Sequence, residues 1–154
     1  MDFSLAAYVP EAFVHVVDVL GDRPIGALAE ATGTASARYP YDTAVLAAGD
    51  SVLAVEHGPL TVGPARIARL PVAWRSAVGL LVIEAELRVL PVDDGTDPVS
   101  ELLLSGAFCT VAGRKLHPVA WLRHVIEGVA LDVARPHPWA SLHEPAGVEL
   151  ARSA

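Results

Sequence analysis

The amino-acid sequence predicts an α+β domain in which a curved antiparallel sheet wraps on a long C-terminal helix. Three observations carry that expectation. Val119, Leu122, Ile126, Val129 and Val133 recur at i, i+3, i+7, i+10 and i+14 between two prolines, Pro118 and Pro136, which is the stripe of a one-sided helix. From Tyr39 to Thr110 the apolar period changes to two, broken by glycine, proline and aspartate, as in a meander of hairpins. Ahead of that region stand one short apolar run and two short segments of helical spacing.

Taken in order, residues 3 to 9 form an apolar run stopped by Pro10 and are expected to be the first strand. Pro10-Glu11 then suits the first turn of a helix, with proline at the first helical position and glutamate at its positive end. Phe13, Val16, Val17 and Leu20 share one face of that helix, which ends at Gly21-Asp22. A second short helix is expected over residues 25–31, bounded by Pro24 and Gly33. Strands are expected at 42–48, 51–56, 61–70, 77–91 and 98–110. Asp93-Asp94-Gly95-Thr96-Asp97 is the clearest turn among their connections. In the fourth strand Ile83, Ala85, Leu87 and Val89 alternate with Glu84, Glu86 and Arg88, so an apolar face opposes a charged one. In the fifth, Leu102, Leu104, Gly106 and Phe108 share a side, and Gly106 offers a bend or bulge. On the long helix, Arg123, Glu127 and Asp132 fall away from the apolar stripe. Residues 136–154 have three prolines and no sustained period, which reads as a loosely docked tail on a domain of residues 1–135.

Composition narrows the function. The 154 residues suit one domain, which at this size buries roughly two-thirds of its unfolded surface without disulfides. Hydrophobic residues make up 53% and charged residues 19%, so there is more apolar surface than an ordinary core absorbs. A ligand cavity or a subunit interface accounts for such an excess. Eleven Lys and Arg against eighteen Asp and Glu give a net charge of -7 with no basic stripe, which argues against nucleic acid and against an anionic membrane surface. No segment has the approximately 20 uninterrupted apolar residues of a membrane span. The early acid Asp2 and the lack of a basic leading segment point to a cytoplasmic location. One cysteine, Cys109, excludes an intrachain disulfide and a multi-cysteine zinc cage, and reads as an inert buried thiol.

The opening from Phe3 through Pro10 and Val14-His15-Val16-Val17-Asp18-Val19-Leu20 to Asp22 consists of an apolar strand, a proline, an amphipathic helix with a V-x-x-V-L-like core and a closing acid. It resembles the START-like superfamily, also called SRPBCC or Bet v 1-like, which includes polyketide cyclase/dehydrase-type and lipid-transfer proteins. The tryptophan that often follows the acid in that family is replaced here by Arg23-Pro24-Ile25-Gly26. Residues 87–108 and the helix at 119–134 extend the resemblance over roughly the first 135 residues. It implies the helix-grip fold, with a deep cavity between sheet and long helix that holds lipids, polyketides or other apolar molecules.

The residues able to do chemistry are few. His57 follows Ser51, Leu53 and Val55 in the two-residue period, so it is either a wall group able to orient a ligand or move a proton, or a rim histidine at a hairpin. Arg69 alternates with Ala65 and Ile67; pointing inward it would need a carboxylate, and pointing outward it is an ordinary solvated edge. Tyr39 and Tyr41 are further proton-transfer candidates. Glu84 and Glu86, about 7 Å apart on one strand face, could act as acid and base, yet Arg88 continues the row as on a solvated sheet. The six histidines include no pair at i, i+4 and no His-Glu-x-x-His, and His117 and His124 lack a third ligand nearby, so no metal is expected. No cofactor is implied either.

Three functional readings follow. The first is a non-catalytic module that binds a small hydrophobic or amphipathic molecule, lined by Leu53, Val55, Ile67, Trp74, Leu87, Leu104, Phe108, Trp121, Leu122 and Ile126. The second is a cyclase- or aromatase-type enzyme using His57, Arg69, Tyr39 or Tyr41. The third is an interaction protein whose apolar excess forms a homodimer.

Overall fold

The computed structural model describes residues 1–38, 53–76, 81–92, 98–110 and 118–135, without the side chains of residues 25, 37, 53, 76 and 110. Among these residues a six-stranded antiparallel sheet, not closed on itself, is packed on one face by three helices. The elements are β1 (Asp2–Val9), α1 (Phe13–Asp22), α2 (Pro24–Arg38), β2 (Leu53–His57), β3 (Thr61–Val62), β4 (Ala68–Ser76), β5 (Leu81–Val92), β6 (Val99–Thr110) and α3 (Val119–Ala134). The sheet order is β1-β6-β5-β4-β2, with β3 also paired to β4. The expected strand at 42–48 and the tail at 136–154 lie outside the described residues.

Alternation decides which face of each strand is covered. In β1, Phe3, Leu5, Ala7 and Val9 are buried while Asp2, Ser4, Ala6 and Tyr8 are exposed. Ile83, Leu87 and Val89 of β5 and Leu102, Leu104 and Phe108 of β6 continue the same inner face into one core with α1, α2 and α3. The pairing of β1 with β6 begins at the first residue, since Phe108 N donates to Met1 O at 2.9 Å and the Met1 amine to Phe108 O at 3.1 Å. Gly106 lies opposite Ala85 on this inner face, where a Cβ would run into the Glu84 carbonyl and the Ala85 backbone. Glycine is needed there because the two strands approach too closely for any side chain.

Residues 61–70 are not one strand. Thr61–Val62 folds back through Gly63-Pro64-Ala65-Arg66 onto the start of β4, with Arg66 N donating to Gly63 O at 3.1 Å and Gly63 N to Ile67 O at 3.0 Å. Proline has its φ preset for the second residue of such a turn, and Arg66 closes it in the left-handed region at φ 56. The strand that this turn feeds, β4, is disguised in the sequence by its own Pro71. In a strand the N and O of a residue face the same neighbour, and the Pro71 carbonyl accepts from Gly58 N at 2.9 Å. The missing N–H therefore points at the gap between β2 and β3, where no ladder bond is needed. Of the expected strand at 77–91, the described part falls in β5, which ends at Val92, and residues 77–80 lie outside the described residues.

The helices also depart from expectation. Helix α1 starts at Phe13 and not at Pro10, because Glu11 N turns back to Val9 O at 2.8 Å and the buried Ser100 hydroxyl donates to Glu11 O at 2.8 Å. Helix α2 does not stop before Gly33; it runs 15 residues to Arg38, with Gly33 on its open side. Exposed glycine weakens a helix by about 1 kcal/mol without ending it when the opposite face is packed, as Ala27, Leu28, Ala31 and Ala35 are. Helix α3 begins after Pro118, whose carbonyl accepts from Leu122 N at 2.8 Å, and its stripe of Leu122, Ile126, Val129 and Val133 is buried. It packs chiefly on β1 and on α2.

That second contact buries another face of α3. A methyl group on Gly128 would come within 3.2 Å of the Ala31 Cβ, so α2 and α3 approach closely there. Trp121 and Asp132 stand seven residues before and four after Gly128, close to the same angular position on a helix of 3.6 residues per turn. Asp132, expected on the solvent side, is accordingly buried with 6% of its surface exposed.

Candidate functional site: the inner face beneath the helices

One buried polar contact, between Trp74 and Thr32, lies where β4 meets α2, with Trp121 of α3 against it. Trp74 lies in the middle of β4 between Val55 and Ile83, and its side chain is completely buried. Its indole N–H donates to the Thr32 hydroxyl of α2 at 3.0 Å. Trp121, in the first turn of α3, meets Trp74 edge to face with ring centroids 6.2 Å apart and planes at 82°. That arrangement sets the positive edge of one indole against the negative face of the other. The Trp121 Nε1 is buried and has no hydrogen-bond partner, and the same holds for Asp132 Oδ2. An unsatisfied buried donor carries a desolvation cost of roughly 1–3 kcal/mol, and proteins keep few of them. The close crossing at Gly128 and Ala31 stands between Trp121 and Asp132 on the α2-facing side of α3, so the two orphaned atoms belong to separate places.

The other interior candidates surround this point. Leu87, Leu104, Phe108, Leu122 and Ile126 are buried in the same core, Val55 packs against its edge, and Ile67 is half-buried in the turn before β4. Leu53 opens β2 opposite Ser76, and its side chain lies outside the described ones.

The polar candidates are placed elsewhere. His57 ends β2 opposite Val72, so it shares the inner row by register, but it is exposed at the rim and its Nδ1 donates to Gly58 O at 2.8 Å. An open groove of about 420 Å³ passes beside it, bordered by Glu56, Gly58, Pro71, Ala73 and Glu84. Arg69 points outward and contacts Glu86 at 3.4 Å, so the inward alternative for it does not hold. Glu86 also accepts from Arg88 at 2.9 Å, and Arg75 links Glu84 at 3.2 Å with Glu56 at 3.5 Å. Glu56, Glu84 and Glu86 on the outer face are thus engaged by neighbouring guanidinium groups. Tyr39, Tyr41 and His117 lie outside the described residues, His15 and His124 are half-buried, and Cys109 is exposed and not buried, because it falls on the outer row of β6. Among the described residues no three His, Cys, Asp or Glu side chains come together as a metal-holding group, and no helix is long and apolar enough to cross a membrane.

Thr32 and Asp132 are interior residues that the sequence pattern does not single out. Thr32 continues the spacing of Leu28, Ala31 and Ala35 once Gly33 is not taken as a stop, so its position is readable in principle. Asp132 carries no such sign, because its burial depends on a neighbouring helix.

No known protein family pattern matches the chain, and no curated protein matches it. Among solved structures it is similar to the protein TTHA0849 of Thermus thermophilus, at 11% identity and a TM-score of 0.33 over 86% of this chain and 97% of that one. A likeness of that size carries no argument about fold family or function.

Proposed function

We propose that this protein binds a small hydrophobic or amphipathic molecule, lipid- or polyketide-like, between the inner face of its sheet and α3, as a helix-grip scaffold of the START-like kind. The observation that carries the reading is the buried Trp121 N–H with no partner, set in a largely apolar interior beside Trp74. A ligand acceptor at that atom would remove its desolvation cost, while the apolar remainder of the ligand would lie against the sheet. A catalytic site would need at least two polar groups converging inside that interior. Of the catalytic candidates among the described residues, His57 lies at the rim and Arg69 on the outer face, so neither supports a cyclase-type site in that interior.

Native mass spectrometry of the chain purified from its own cells should reveal an adduct of small-molecule mass that is released on collisional activation. A bare-chain mass, combined with an unfolding midpoint unmoved by the hydrophobic dye anilinonaphthalene sulfonate, overturns the reading.

A further inference from the structure

We infer that Gly58-Pro59-Leu60, the connection between β2 and β3, is a strap that opens to admit a ligand from the groove beside His57 to the inner face of the sheet, with Leu60 as its latch. Its role as an entrance rests on the binding proposed above; its opening does not. The strap runs from β4 to the C-terminal end of α1 and is pinned at both places. At β4, Gly58 N donates to Pro71 O at 2.9 Å, and a Cβ on Gly58 would lie 3.2 Å from the Pro71 ring, so the two residues are seated against each other. At α1, the half-buried Leu60 packs on the apolar core, and its Cδ2 lies 3.5 Å from where a Cβ on Gly21 would stand. Pro59, between the two pins, is exposed.

These pins are weaker than the sheet beside them. A residue of a regular strand offers its neighbour both an N–H and a carbonyl, but Pro71 has no N–H, so β4 meets Gly58 with a carbonyl alone. Beyond Leu60 the chain rejoins β4 through the two residues of β3, Thr61 and Val62, and both are exposed. Strand β5, by contrast, pairs with β6 from Leu81 to Val92 and buries Ile83, Leu87 and Val89. Segments with few buried apolar side chains open locally while the rest of a domain stays folded.

The register shows what the strap borders. The groove of about 420 Å³ is lined by His57 and Gly58 together with Val72 and Ala85. His57, Val72 and Ala85 lie opposite one another across β2, β4 and β5, in the row that faces the helices. Val72 belongs to the buried core and Ala85 packs against it, while Leu20, next to the Leu60 contact on α1, is buried in the same core. Lifting Leu60 off α1 joins an existing space to that apolar row, where an apolar molecule gains area removed from water.

The test uses the full chain, with amide hydrogen exchange followed by NMR and uptake of N-phenyl-1-naphthylamine, a neutral dye that fluoresces in apolar surroundings, followed by stopped flow. In the unaltered chain the Gly58 amide should exchange at least about a hundredfold faster than the central amides of β5, with little dependence on urea, as for a local opening. Leu60→Ala should speed dye uptake about tenfold, and Gly58→Ala, whose methyl meets the Pro71 ring, should speed it from the other pin and decides if Leu60→Ala does not fold. Exchange of Gly58 at the β5 rate and with the same urea slope shows that the strap opens only when the domain unfolds, and overturns it. Local exchange at Gly58 with uptake unchanged in both variants removes the entrance and leaves the binding reading standing. No dye taken up by any form removes the binding reading and the entrance together.

Discussion

The two faces of strand β5 carry alternate residues of one segment and are held by different physics. On the inner face Ile83, Leu87 and Val89 are buried against neighbouring strands and helices, so their contribution comes from apolar area removed from water, roughly 1.5–3 kcal/mol for each side chain. On the outer face Glu86 bridges Arg69 and Arg88, and Glu84 shares Arg75 with Glu56, in a row of ion pairs that solvent still reaches. Exposed pairs of that kind are worth about 0–1 kcal/mol each and are screened by salt. The inner row therefore sets stability, and the outer row keeps the sheet face hydrated and ordered.

Substitutions can break this contrast. Leu87→Ala should lower the unfolding free energy by about 3 kcal/mol in urea denaturation, since it removes a buried side chain and leaves a void. Gly106→Ala, on the same inner row, should lower it by about 2 kcal/mol, because the added methyl meets the Glu84 carbonyl and the Ala85 backbone, which cannot rotate away. A neutral Gly106→Ala would mean that β5 and β6 do not approach as closely as they do here. Gly33→Ala, on the open side of α2, should raise stability by about 0.5–1 kcal/mol through helix propensity alone. No gain would indicate that the helix does not continue through residue 33. Glu86→Gln should change stability by less than about 1 kcal/mol, and raising salt should shrink even that difference. A loss from Glu86→Gln larger than that from Leu87→Ala would overturn the division between the faces.

Much of this organisation is legible in the residues. The alternation in β5 and β6 predicts which of their large side chains are buried, and the stripe on α3 predicts Leu122, Ile126, Val129 and Val133 as buried. The departures at Pro71, Gly33 and Pro10 share a cause. These residues look like local stop or start signals, and at each the surrounding chain sets the outcome; at Pro64 the local signal holds, inside a segment expected to be one strand. Pro64 makes the turn that splits a presumed strand, and Pro71 sits in a strand where its missing N–H meets a gap. Gly33 rides on the solvent side of a helix whose other side is packed, and Pro10 precedes a turn that delays α1.

The candidate site divides in the same way. Trp74, Leu87, Leu104, Phe108, Trp121, Leu122 and Ile126 are legible as interior residues from the sequence pattern. The hydrogen bond from Trp74 to Thr32, the orphaned Trp121 N–H and the buried Asp132 are not, because each depends on α2 lying along α3. The α+β class, the inner and outer rows of the long strands and the C-terminal helix follow from periods of 2 and 3.6 along the chain, and need no knowledge of what packs on what. That α3 is buried on two sides and not one, and with it which polar atoms are shut away from water, emerges only when the helices are assembled. Periodicity reports that a face is apolar; a glycine and an alanine letting two helices touch is a relation between residues 31 and 128, which no local pattern contains.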